Sequence, residues 1–494
     1  MSDAKQTLDK DLAKLVHVQA AVRQSATGVV GHGMAILFLG VSGLIAGLWS
    51  GVASDGALVV LAAVLGGYMA LNIGANDVAN NVGPAVGSRA LTMVGALVIA
   101  AVFESAGALI AGGDVVNTIS KGIIDPSMVA DSDTFIWAMM AALVSAAIWV
   151  NLATVIGAPV STTHAVVGGV MGAGIAAAGF ALVNWDTMGA IAASWVVSPV
   201  LGGAIAAMFL AFIKINLIYQ PDKIAAARRW IPVLVSVMAA AFGCYLATKG
   251  LKRVWKPDPP TILLLGLIIF VATWALMRPV IRRQSEGMEN RNQSLRKLFH
   301  IPLICSAALL SFAHGANDVA NAIGPLAAII YTIEYDHVAG EVSVPIWIMV
   351  IGAFGISLGL FLYGPKLIRM VGAKITKMNP MRAYCVALSA AITVIIASGL
   401  GLPVSSTHVA VGAIFGVGFF REFYTKHSKR RREMVTRCKP EDPALSVRYG
   451  PEELRHRKLV RRSHVTTILA AWVITVPATA VIAACVFYGF ELVR

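Results

Sequence analysis

Apolar runs of about 18–25 residues, separated by short polar stretches, recur along nearly the whole chain. They fall at roughly 33–53, 57–74, 91–112, 136–158, 189–213, 231–248, 261–277, 345–363, 382–400 and 466–487. Within each run the apolar residues are continuous rather than alternating. That pattern predicts helices that satisfy their own backbone groups inside a bilayer, and it argues against barrel strands. With the shorter apolar pieces added, about twelve transmembrane helices are expected. Composition agrees, because only 13% of residues are charged, against roughly a quarter in soluble proteins. The fold class is therefore an all-α integral membrane protein. Residues 1–32 are polar, and the first apolar run lacks a small-residue cleavage site, so the first span is expected to stay in the membrane. The five cysteines show no metal-ligand spacing and read as small core residues.

The formal net charge is +14, but its position matters more than its sum. Most of the excess lies in 222–230, 278–297 and 421–463, without interleaved aromatic residues for base stacking. This distribution marks cytoplasmic loops rather than a nucleic-acid site. The stretch KGLKRVWK at 249–256 is a mild exception, since the span count places it outside.

Against this apolar background one polar block occurs twice. GANDVANNVGP at 74–84 matches GANDVANAIGP at 315–325, APVSTTHAVVGG at 158–169 matches LPVSSTHVAVGA at 402–413, and SWVVSPVLGGAIAA at 194–207 resembles AWVITVPATAVIAA at 471–484. Three blocks in one order make an internal repeat. The segment after the second PVSSTH block is strongly basic, whereas VNWDTM at 183–188 has no Lys or Arg. By the positive-inside rule the two halves are antiparallel, an inverted repeat of the kind that holds substrate near the bilayer midplane in secondary transporters. The expected organisation is a polar N-terminal segment (1–32), a first membrane repeat (33–220), connecting spans with a short basic linker (221–297), a second membrane repeat (298–420), a basic cytoplasmic loop (421–463) and a final transmembrane helix (464–494).

The repeated residues carry the chemistry. Asp77 and Asp318 lie at membrane depth, where a carboxylate costs at least about 2.5–3.5 kcal/mol, so each is expected to face a cavity or a cation. Asn76, Asn80, Asn317 and Asn321 add neutral oxygen ligands, and the set suits a hard cation such as sodium, with protons left open. Gly74, Gly83 and Pro84, with Gly315, Gly324 and Pro325, are expected to interrupt their helices beside that cavity. In the second motif Pro159 and Pro403 are expected to stop one short helix, and Ser161-Thr162-Thr163 and Ser405-Ser406-Thr407 to cap the next. Such a helix start offers N–H groups and about half a positive charge, an anion site without a basic side chain. Carboxylates beside that site favour an anion that itself carries O–H donors. Phosphate does so near neutral pH and sulfate does not.

Three titratable residues stay open between coupling and structure. His164 and His408 follow the hydroxyl clusters and suit either proton-linked function or structural hydrogen bonding; Glu104 is a further intramembrane carboxylate, suited to tuning coupling or to local pairing, whose counterpart is Ile356. Arg89 and Lys121 read as topological residues at loop edges. A hydrolase is disfavoured because Ser161 and His164 recur as a duplicated pair with no asymmetric nucleophile–base arrangement. A channel suits a paired anion and cation site less well than stoichiometric coupling does. No GxxxxGK[ST] loop is present, so an ion gradient supplies the energy.

GANDVANNVGPAVGSRALT, FESAGALIAGGDVVNTISKGIID, PVSTTHAVVGG, GANDVANAIGP, PVSSTHVAVG and AWVITVP together resemble the inorganic phosphate transporter (PiT) family. The resemblance covers nearly the whole membrane region and leaves out the polar N-terminus and the 421–463 insertion. It implies a symporter of about twelve helices with an inverted repeat, re-entrant hairpins at the PVSTTH and PVSSTH positions, and a homodimer in the cytoplasmic (inner) membrane. Carried over by motif, phosphate goes to Ser161, Thr162, Thr163, Ser405, Ser406 and Thr407, and Asp77 and Asp318 are shared between phosphate and cation. Asn76, Asn80, Asn317 and Asn321 become sodium-site candidates. No cofactor is implied beyond sodium or protons as coupling ions. Sulfate or another oxyanion, and a proton-coupled metal–phosphate complex, remain alternative substrates within the family.

Overall fold

The structure, a computed structural model, describes residues 29–50, 56–125, 128–129, 131–250, 257–335, 344–374, 378–428 and 462–493. The first 28 residues, 251–256 of the KGLKRVWK stretch, 429–461 of the basic loop and the Lys121 side chain lie outside the described residues.

Helices α1 (Val29–Ser50), α2 (Gly56–Gly87), α3 (Met93–Ala111), the short α4 (Gly113–Asn117) and α5 (Ser132–Ile156) lead to α6 (Thr162–Ala178). There follow α7 (Trp185–Ile213), α8 (Lys223–Tyr245), α9 (Pro259–Gln284), the short α10 (Asn292–Leu298) and α11 (His300–Asp318). The remainder is α12 (Ala320–Tyr335), α13 (Ile346–Lys374), α14 (Pro380–Gly399), α15 (Ser406–His427) and α16 (Arg462–Val493). Among the described residues 11 helical stretches are long and apolar enough to cross a membrane, α11 and α12 counting as one, His300–Tyr335. That stretch does not stand out among the apolar runs, because its polar residues dilute the pattern. It is nonetheless the most deeply enclosed of the 11.

The helices pack through small residues, as membrane helices do when packing rather than the hydrophobic effect holds them together. A Cβ on Gly74 would lie 1.9 Å from the Ile356 carbonyl oxygen, and one on Gly315 would lie 2.1 Å from that of Glu104. Here the structure corrects the sequence reading. Helix breaks are expected at both glycines, yet α2 runs unbroken through the first GANDVAN, with Pro84 inside it. Only the second copy is interrupted, at Val319 between α11 and α12. The glycines serve close helix crossing. Gly74→Ala or Gly315→Ala is therefore expected to cost the protein its fold, seen as loss of the monodisperse peak in detergent chromatography. Normal yield and uptake would contradict that role.

A second correction concerns the prolines. The helices ahead of Pro159 and Pro403 are full-length, 25 and 20 residues, rather than short. Gly157 (φ 78°) turns the chain after α5, so left-handed backbone, not the proline, ends that helix.

Equivalent contacts recur across the two halves. Ser105 and Ser357, matching residues in the repeat, bring their hydroxyls to 2.6 Å. Each reaches a carbonyl of the opposite half, Ser105 that of Ala353 and Ser357 that of Ala101.

Candidate functional site

The two hydroxyl clusters begin α6 and α15. Ser161 and Ser405 have extended backbone and accept from the amides of His164 and His408, at 3.1 and 3.2 Å, as N-caps. The helix starts expected from the sequence are there, and both are buried beside the GANDVAN segments of α2 and α11.

The carboxylates sit at these helix starts. Thr162 Oγ1 donates to Asp77 Oδ2 at 2.8 Å, Ser406 Oγ donates to Asp318 Oδ2 at 2.8 Å, and Thr407 Oγ1 crosses to Asp77 Oδ1 at 3.0 Å. The asparagines knit the halves together. Asn80 Nδ2 donates to Thr407 Oγ1 at 2.8 Å, and its counterpart Asn321 donates to Thr163 Oγ1 at 3.1 Å. Asn76 donates to Thr154 Oγ1 and accepts from the Val160 amide. Asn317 is best satisfied with its nitrogen donating to Asp318 Oδ1 and the Val404 carbonyl and its oxygen accepting from Ser398. All twelve motif residues are buried, and the bonds around Asp77 and Asp318 link nine of them, leaving Asn76, Ser161 and Ser405 to local partners. From sequence all six hydroxyls are expected to serve an anion; in this structure three of the six serve the aspartates instead.

One residue missed from sequence stands in the middle. His314 is fully buried, with Nε2 3.0 Å from Asp318 Oδ2 and 3.8 Å from Asp77 Oδ2, and Nδ1 3.4 Å from Glu104 Oε2. Asn81 Nδ2 donates to Glu104 Oε1 at 2.8 Å. Glu104, open in sequence between coupling and local pairing, therefore has two partners and a place in the cluster. Asn81, Glu104 and His314 correspond in the repeat to Ala322, Ile356 and Ile73. The asymmetry itself was the available signal: a histidine directly before one GANDVAN where the other copy has isoleucine.

His164 and His408 lie behind the hydroxyls. Their rings are 4.3 Å apart between centroids, and each stacks on the tryptophan of the third repeated block, Trp195 at 3.7 Å and Trp472 at 3.6 Å. His164 Nδ1 is 2.7 Å from Ser161 Oγ, whereas neither ring nitrogen of His408 has a hydrogen-bond partner.

The donor set suits a cation. In charged form the three carboxylates outnumber the one imidazole among them, and ions so enclosed need compensation. Asp77, His314 and Asp318 can each present a ligand atom within 4.8 Å of the others. Asn81 Oδ1 and Asn321 Oδ1 are buried oxygens without a donor, which is the condition a cation relieves.

Residues 73–483 match the model of the phosphate transporter family, a span that holds both polar motifs and both tryptophans. A "Putative phosphate permease" of Helicobacter pylori strain J99 is 46% identical over 506 aligned residues, covering 93% of this chain and 95% of that protein. Another, from Pyrococcus horikoshii, is 36% identical, covering 87% of this chain and 97% of that protein. A solved structure described as "The sodium-dependent phosphate transporter" superposes with a TM-score of 0.78 at 34% identity, covering 89% of this chain and all of that one. These are transporters rather than enzymes. The chain belongs to the phosphate transporter family.

Proposed function

We propose that this protein is a secondary active symporter that imports inorganic phosphate across the cytoplasmic membrane by alternating access, driven by sodium. The observation that carries this reading is the pair of aspartates holding the hydroxyls of Thr162, Ser406 and Thr407. A sodium ion placed on Asp77 or Asp318 competes with those O–H groups for the carboxylate oxygens. The released hydroxyls, with the amides at the starts of α6 and α15, then become donors for phosphate. Cation binding creates the anion site, and that order is what couples the two fluxes.

Asn76, Asn80, Asn317 and Asn321 complete the cation ligands, with Glu104 and His314 setting the charge at the centre. Ser161 and Ser405 shape the helix starts that receive phosphate, Thr163 contributes a further hydroxyl, and His164 and His408 back those starts. The halves act as inverted repeats, with α5–α6 and α14–α15 as re-entrant hairpins, and the protein works as a homodimer. The domain limits expected from sequence are kept on this reading. Sodium as coupling ion is supported by the hard-oxygen donor set and by the sodium dependence of the solved relative. A specific observation favours a second reading, proton drive: an imidazole lies among three carboxylates.

Phosphate binding to the purified protein tests the order. Affinity measured by calorimetry is expected to rise at least about tenfold when potassium is replaced by sodium, a coupling of ordinary size. Equal affinity in the two salts would remove sodium from the site.

A further inference from the structure

A cleft of about 1170 Å³ opens between α7, α15 and α16. Trp195, Trp472 and the two histidines stacked on them form its floor, and those histidines directly follow Thr163 and Thr407 in the chain. Phe415, Phe419 and Phe423 line it along α15. On the open side stand Val196, Val200 and Val473, 68%, 68% and 73% exposed, on helices that cross the membrane. A cleft with apolar walls and a mouth at hydrocarbon depth is reached from the bilayer, not from water.

Basic residues lie beyond one end of the cleft, with Glu422 in the same stretch of α15. Phe420, on its wall, lies under the ammonium of Lys214, 5.3 Å from ring centroid to Nζ, and the same ammonium sits 4.1 Å from the centroid of Tyr424. Lys426 and His427 are exposed in the last turn of α15, where that helix leaves the apolar layer. Aromatic rings beside cations mark the depth of lipid headgroups, and basic sites between membrane helices select anionic ones.

We propose that this cleft is a binding site for an anionic phospholipid, with acyl chain against the Trp195–Trp472 floor and headgroup phosphate at Lys214 and Lys426. The site is distinct from the transport site and independent of what is carried. Its floor backs the starts of α6 and α15, so the bound lipid braces both hydroxyl clusters from the membrane side.

Intrinsic tryptophan fluorescence in nanodiscs tests this, using phosphatidylglycerol or phosphatidylcholine with identical brominated acyl chains. Phosphatidylglycerol is expected to quench at a lower mole fraction than phosphatidylcholine. Lys214→Gln and Lys426→Gln should each reduce that preference about fivefold. Other tryptophans, among them the exposed Trp49 and Trp185, are quenched by either lipid, so the readout is the preference: Ala204→Phe, which fills the cleft, should abolish it, as should Trp195→Phe combined with Trp472→Phe. Equal quenching by both lipids, or a preference that Ala204→Phe leaves intact, would overturn the proposal. So would protection from both lipids with Val200→Cys cross-linking between two copies, since the face would then be covered by protein.

Discussion

Asp77→Asn and Asp318→Asn are each expected to abolish concentrative phosphate uptake while leaving the protein folded and in the membrane. The change is nearly isosteric, and the amide oxygen still accepts one bond, from Thr162 or Thr407 at Asp77 and from Ser406 at Asp318. What disappears is the negative charge for which cation and hydroxyls compete. Without it the hydroxyls are no longer exchanged between carboxylate and phosphate, and the ion gradient has no purchase on the anion. The two substitutions should not be equivalent. Asp77 accepts from both halves, Thr162 and Thr407, whereas Asp318 accepts from Ser406 and lies closer to His314. Initial-rate uptake of labelled phosphate into proteoliposomes, with reconstituted protein quantified, checks both. Wild-type accumulation by either variant would remove the aspartates from coupling.

The second large effect is at His314. His314→Gln leaves Glu104, Asp77 and Asp318 facing one another with no imidazole among them, at positions with essentially no exposure. Removing one partner of a buried charged pair costs about 3–5 kcal/mol, because the other is left uncompensated. A large drop in thermal midpoint is expected, together with loss of uptake. Glu104→Gln retains the bond to Asn81 and removes the charge facing Nδ1. In the double variant the midpoint should therefore recover much of what His314→Gln lost, while uptake stays absent. The recovery measures the coupling between the two groups, which single substitutions cannot report. Additive destabilisation would contradict the pairing.

Much of this was legible in the residues, and the boundary of legibility is physical. The duplicated blocks located both carboxylates, the four asparagines and the helix starts, because polar residues inside continuous apolar runs need a reason that local patterning states plainly. Orientation of the hydroxyls was not legible. A serine or threonine at a helix start can serve an anion or a neighbouring carboxylate, and only the packing of α2 against α5, α6 and α15 decides which. His314 escaped because repetition was the guide, and it breaks the repeat. Its partners Glu104 and Asp77 lie on α3 and α2, so the cluster exists only once three helices meet. Gly74 and Gly315 read as breaks because the backbone freedom of glycine and its lack of a side chain look alike in sequence. The carbonyls of Ile356 and Glu104 reveal the second role.

Labelled phosphate accumulation in proteoliposomes, driven in turn by an imposed sodium gradient and an imposed proton gradient and challenged with excess sulfate, tests the central claim most directly. Accumulation against a gradient is expected with sodium and not with protons alone, and without competition by sulfate, which lacks the O–H that phosphate can donate to the carboxylate left free of sodium. Accumulation that follows protons and ignores sodium would move coupling to the carboxylate–imidazole cluster and contradict the sodium assignment. Failure to accumulate phosphate under either gradient would contradict the symporter itself.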